Sequence, residues 1–216
     1  MNLVNTQAIQ YFLSAIIVGL VFYSIILHEV SHALVSNWLG DDTAKRQGRL
    51  SLNPLKHIDW FGTVILPLML YFTARVIYGY AKPVPMNPYN FSSYKRDVGL
   101  TALAGPLTNI LIAISFALVY HLSFNMFLAY ISIYVVFFNL LLAFFNLIPI
   151  PPLDGSKVLG MILPDEAYFR WTAQERKGMI FLFALILISS LLGINIFGRM
   201  VIPLIRLAMT GLGMPF

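Results

Sequence analysis

From Ile9 to Leu27 the chain runs without a charged side chain, and His28-Glu29-Val30-Ser31-His32 follows inside the same apolar stretch, which continues to Leu39. Few folds accept such a run. About 20 mostly apolar residues in a row make a membrane-spanning helix, because in lipid every backbone N–H and C=O must find its partner within the segment. Further apolar segments occupy Trp60–Tyr80, Val98–Leu122, Met126–Ile150 and Met179–Phe197. A weaker one, Met200–Met214, has Arg199 at its edge and Arg206 inside. Composition agrees, with 59% hydrophobic and 11% charged residues, where a soluble domain carries about 25% charged. This excludes an ordinary soluble globule, a disordered chain and a nucleic-acid module, although the net charge is +5. The absence of Cys excludes a disulfide scaffold and any thiolate-ligated metal. Met1–Asn5 carries no Lys or Arg and no small-residue cleavage site follows, so the first helix is expected to stay in the mature protein.

An acidic residue in such a helix is costly and usually marks function. Here the spacing supplies a reason. Residues i and i+4 lie one turn apart on one face, so His28 and His32 can hold a single ion, and Glu29 beside it can take a proton from a bound water. Two of the chain's four histidines are spent here. The bland alternative is a chance pair of hydrogen-bonded histidines, which desolvation opposes.

Catalytic zinc needs three protein ligands and an open position. His57 lies in a polar loop, His121 at the far end of its helix, and Glu166 and Glu175 in a charged linker. Asp154 remains, in Phe145-Asn-Leu-Ile-Pro-Ile-Pro-Pro-Leu-Asp-Gly155, directly after an apolar span. Prolines there cannot continue a helix. An Asp before Gly is also ordinary turn chemistry, and spacing alone does not choose between the two.

Across most of its length the sequence resembles the site-2 proteases, intramembrane zinc metalloproteases, and within them the compact branch without a PDZ domain. The resemblance rests on His28-Glu29-x-x-His32, Asn53-Pro54-x-x-His57, Gly79-Tyr-Ala-Lys-Pro-Val-Pro-Met-Asn-Pro88, Gly105-Pro106-x-x-Asn109 and Asn146-x-x-Pro149-x-Pro151-x-x-Asp154-Gly155. It implies one zinc ion per chain on His28, His32 and Asp154, Glu29 as general base, and Asn146 as the residue that holds the substrate carbonyl or its oxyanion. It also implies a transmembrane protein as substrate, cleaved within or near its membrane segments as in regulated intramembrane proteolysis. The lipid bilayer is then the chain's other partner, and a homo-oligomer is left open.

A shared ion constrains topology. The His-Glu motif lies toward the C-terminal end of the first helix and Asp154 follows the Met126–Ile150 span, so both ends belong at one membrane face. Two crossings between them achieve this and three do not. Trp60–Tyr80, with Pro67 in its middle, Arg75 inside and basic flanks, is the segment expected not to cross. The expected fold is an all-α membrane protein in a single domain, 1–216. It has about four full spans, roughly 8–39, 98–122, 126–150 and 178–198, a re-entrant or interfacial segment over about 58–80, and short strand or hairpin elements. The connections Gly40–Asp59, Ala81–Asp97 and Leu153–Gly178 are basic and Ser123–Asn125 is uncharged. The positive-inside rule then sets the basic side, and the site, toward the cytoplasm of a multi-pass cell-membrane protein.

Gly105-Pro106-Leu-Thr-Asn109 reads as the opening turn of a helix with small residues for close packing. Asn109 reads as an interhelical bond or a ligand-orienting group, and Asn139, seven before Asn146, as interhelical glue. Gly48-Arg-Leu-Ser-Leu-Asn53 alternates like a short strand, which would suit either substrate addition at an edge or a plain surface hairpin. Three rival functions stand beside the protease. A metalloprotease of the prenyl-protein-processing type takes a downstream Glu as third ligand, a non-catalytic membrane protein binds metal or partners only, and a metal transporter needs polar residues continuing through the bundle, where the other spans lack acidic ones.

Overall fold

The computed structural model describes residues 3–74, 82 and 84–216, and those residues are helical wherever they are regular. Helix α1 spans Leu3–Trp38. After a short helix α2, Thr43–Arg46, a π-helical turn over Trp60–Ile65 runs into α3, Leu66–Ala74. Then come α4, Tyr94–Leu122; α5, Met126–Asn146; α6, Asp154–Ile162; α7, Asp165–Thr172; α8, Glu175–Leu191; and α9, Ile196–Gly211. Among the described residues three helices are long and apolar enough to cross a membrane: α1 from Gln7, α4 and α5. Asn125 starts α5 by accepting from the Phe127 N–H, so α4 and α5 form an antiparallel hairpin across the uncharged link.

The fourth expected span, 178–198, is not one straight helix: among the described residues it reaches the length of a span only if the bent pair α8 and α9 counts as one. Helix α8 ends at Leu191, Gly193 takes a left-handed φ of +65°, and α9 leaves at 94° to α8. The break is built in. Glycine accepts that backbone without a steric penalty, the Ser189 hydroxyl bonds the Ile194 carbonyl and receives the Ile196 N–H, and Asn195 caps α9 through the Gly198 N–H. Helix α9 then packs Val201, Ile205 and Met209 against Ala113 and Ala117 of α4 and Val136 and Leu140 of α5, which forms the larger core. A smaller one joins Ile17 of α1 to Ile131 and Val135 of α5.

Three local readings also change. Gly105-Pro106 does not open a helix: Pro106 sits inside α4, which starts at Tyr94. Proline lacks the N–H that would bond the carbonyl four residues back, and a packed neighbouring helix makes the irregularity tolerable. Helix α5 stops at Asn146, four residues short of Ile150, ahead of the prolines. Gly48–Asn53 is not a strand, and no strand occurs among the described residues. Two of its carbonyls accept from side chains instead of a ladder, with His57 Nε2 donating to Ser51 O at 2.7 Å and Tyr23 Oη to Leu52 O at 3.4 Å, and those of Arg49 and Asn53 accept from nearby backbone N–H groups. Of the segment expected to lie in the membrane without crossing, the helical part through α3 is shorter than a span, and 75–80 lies outside the described residues.

Where α1 gives way to the loops, Gly40 turns at φ +112° and delivers Asp41 into full burial. Its carboxylate accepts from Ser36 Oγ, from the Thr43 N–H and hydroxyl, from the Asn87 N–H at 2.8 Å and from Asn90 Nδ2 at 2.8 Å. One anion thereby ties the end of α1 to a turn far along the chain. Burial alone would push this carboxyl up, but the bonds from Thr43, Asn87 and Asn90 more than reverse that and hold it below its ordinary value. A depressed carboxyl contributes stability that is complete above the unfolded-state value, about 4, and is lost as pH falls through the folded-state value. Thermal unfolding in detergent should therefore show midpoints falling below about pH 4, with a shallower acid slope in Asp41→Asn. An unchanged slope in the variant would remove Asp41 as the cause.

Candidate metal centre

The facing sides of α1 and α4 are matched turn for turn. His28 and His32 stand one turn apart on α1, while Thr101, Gly105 and Asn109 stand one turn apart on α4. Each imidazole is held at Nδ1, that of His28 donating to Asn109 Oδ1 at 2.6 Å and that of His32 to the Thr101 carbonyl at 2.7 Å. Both rings are buried. With Nδ1 used as donor, each Nε2 presents a lone pair, and the two Nε2 atoms lie 3.1 Å apart.

The carboxylate that meets them arrives from beyond α5. Pro149, Pro151 and Pro152 turn the chain, and Asp154 begins α6. Gly155 permits the approach, because a Cβ there would fall 2.1 Å from the Leu147 carbonyl oxygen, so only a bare Cα lets α6 start so close to the end of α5. Asp154 Oδ2 then lies 3.1 Å from His28 Nε2 and 3.4 Å from His32 Nε2.

These residues fit a metal ion. Two ligand atoms on a tetrahedral zinc, with bonds near 2.0–2.1 Å, stand about 3.3 Å apart, and the three separations here are 3.1, 3.1 and 3.4 Å. Three acceptors converge. A single proton could relieve one contact at a time, whereas a cation satisfies all three. The wall facing the rings is Gly105, where a Cβ would lie 2.5 Å from both Nε2 atoms. Its missing side chain is the space in front of the lone pairs.

Of the residues singled out in the sequence, His28, His32 and Asp154 are thus brought together. Glu29 follows His28 on α1 and is half-buried. Asn146 ends α5 and donates Nδ2 to the Leu142 carbonyl of its own helix at 2.9 Å, and no described contact joins it to the group. His57 is a buried loop staple, His121 donates to the Leu212 carbonyl, and Glu166 pairs with Arg170 on the surface. Thr101 escaped sequence reasoning because it acts through a carbonyl that any residue could supply. Gly105 and Gly155 were visible only as a packing glycine and a turn glycine.

Comparison with known proteins gives the same chemistry. The chain is 34% identical over 168 residues to a Bacillus subtilis protein named "Putative zinc metalloprotease YwhC", covering 73% of each chain. It is 32% identical over 158 residues to "Putative zinc metalloprotease MJ0611" of Methanocaldococcus jannaschii, covering 72% of this chain and 73% of that one. It is 28% identical over 180 residues to "Putative zinc metalloprotease Rip2" of Mycobacterium tuberculosis, covering 79% and 66%. No protein-family model and no solved structure matches.

Proposed function

The chain belongs to the site-2 protease family of zinc metalloproteases, and from that premise we propose that it hydrolyses peptide bonds within or near the transmembrane segments of other membrane proteins, in regulated intramembrane proteolysis. The observation that carries this reading is the convergence of His28, His32 and Asp154, with Glu29 alongside, on a helix apolar enough to cross the bilayer. A metalloprotease acting on soluble protein has no need to sink its ligands in such a helix, where each costs desolvation energy.

His28 Nε2, His32 Nε2 and Asp154 Oδ2 would hold the zinc. Bound there, zinc polarises the scissile carbonyl and lowers the pKa of water toward neutrality. The Glu29 carboxylate takes a proton from the attacking water and passes it to the departing amine nitrogen as the peptide bond breaks. Asn146 is the proposed donor to the oxyanion, a role in which Nδ2 exchanges the Leu142 carbonyl for substrate. The surrounding apolar helices keep bulk water low, which strengthens each of these interactions. Basic connections at the α1 and α5 ends support a multi-pass chain whose site opens toward the cytoplasm.

The prenyl-protein-processing alternative needs a glutamate ligand, and Glu166 is exposed and paired with Arg170. A bare metal-binding role leaves Glu29 unexplained. Metal analysis of purified wild type beside Asp154→Ala, together with turnover of a transmembrane substrate in vesicles, tests the proposal. Wild type should carry one zinc and cleave, and the variant should lose both. A variant that retains its zinc and its rate would remove Asp154 from the site.

A further inference from the structure

Behind His28 lies a chain of buried, hydrogen-bonded polar side chains through three helices. Asn109 on α4 accepts from His28 and donates Nδ2 to Asn139 Oδ1 on α5 at 2.9 Å. Asn139 donates Nδ2 to Ser24 Oγ at 3.1 Å, and Ser24 stands on α1 one turn before His28. Every member is buried, and Asn109 and Asn139 are wholly so.

The direction of this chain is forced from its far end. Asn139 Nδ2 also donates to the Val135 carbonyl at 2.8 Å, and Ser24 gives its own hydrogen to the Leu20 carbonyl at 3.0 Å. A backbone carbonyl can only accept. Both partners on that side of Asn139 are thus acceptors, so its NH₂ must face them and its oxygen must face Asn109. Asn109 then has to present NH₂ to Asn139, which turns its own oxygen to His28. An oxygen there requires hydrogen on Nδ1. The lone pair of His28 is left on Nε2, facing His32 and Asp154.

We infer that Asn139 and Asn109 are positioning residues that preset the metal-binding tautomer of His28, with the instruction originating in the backbone carbonyls of Val135 and Leu20. The consequence differs from packing. Without Asn139 the Asn109 amide is free to reverse, its NH₂ then faces Nδ1, and the proton moves to Nε2, where it blocks the ion. Outer partners of this kind usually set metal affinity by about 10- to 100-fold. His32 needs no such relay, because the Thr101 carbonyl holds its Nδ1 directly.

The inference rests on the metal-site reading above, and the two fail separately. The probe is zinc alone, titrated by competition with a chelator into the full chain in nanodiscs. Asn139→Leu should bind zinc about 10- to 100-fold more weakly than wild type. Adding Asn109→Asp to it should recover most of the loss, since one carboxylate oxygen restores the acceptor for His28 and no Asn139 oxygen then opposes the other. A merely structural role for Asn139 predicts no such rescue. Unchanged zinc affinity in Asn139→Leu, or a double variant no tighter than the single, would overturn the inference. A wild type that binds no zinc overturns the metal site itself. Should Asn139→Leu not fold, nitrogen-15 spectra of the metal-free wild type, with the His28 signal assigned by its loss in His28→Asn, decide the matter: hydrogen on Nδ1 is expected, and hydrogen on Nε2 refutes it.

Discussion

Glu29→Gln keeps its zinc and loses cleavage by about 100- to 10,000-fold, the range a positioned general base supplies. The substitution preserves shape, and Glu29 is not among the three residues whose ligand atoms converge, so the zinc should stay bound. What disappears is a side chain able to hold a proton between the attacking water and the leaving amine. An amide can hydrogen-bond that water but cannot take its proton. Metal content and turnover of a transmembrane substrate in vesicles separate the two effects. A glutamine variant with wild-type turnover removes Glu29 from the chemistry, and a variant that loses zinc along with activity makes it a structural support of the site.

Gly105→Ala is expected to cost more, removing zinc as well as activity. The added methyl would stand 2.5 Å from His28 Nε2, His28 Cε1 and His32 Nε2, far inside normal contact. Neither ring has a free retreat, since Asn109 and the Thr101 carbonyl tether them from the same helix that carries the methyl. Zinc affinity should drop by at least about 100-fold, the upper end of what outer partners alone control. Helix propensity works the other way, as alanine is favoured over glycine by about 1 kcal/mol inside a helix, so an unaltered circular dichroism spectrum with an empty metal assay is the expected pair of results. Gly19→Ala on α1, where a Cβ meets nothing within 4 Å, is the matched control and should bind zinc normally. A Gly105→Ala protein with full zinc would show that the rings can yield.

The spans α1, α4 and α5 were legible because lipid forces long apolar runs into helices, and the His-Glu pair because helical spacing is local. By spacing alone Asp154 was legible only as a candidate, and it became a neighbour of the histidines only through the family resemblance, since its approach depends on the backbone contact that Gly155 permits with Leu147. Pro106 was misread because a proline in a first turn and a proline inside a packed helix look alike in sequence; only the partner helix distinguishes them. The turn at Gly193 was missed for a similar reason: Met179–Phe197 is apolar enough to continue, and Ser189 and Asn195 reveal their capping roles only once the chain has bent. Asn139 was read as glue between helices, which it is, but the polarity of its hydrogen bonds depends on carbonyls that carry no residue identity.

The ligands are divided between an early helix and a residue that follows two further long apolar helices. During synthesis the paired histidines therefore emerge well before the aspartate, and a growing chain that ends anywhere in between owns two imidazoles without their third partner. The set that could hold a metal is therefore completed only after α4, α5 and the start of α6 have been made, so a partly translated chain has the pair and not the set.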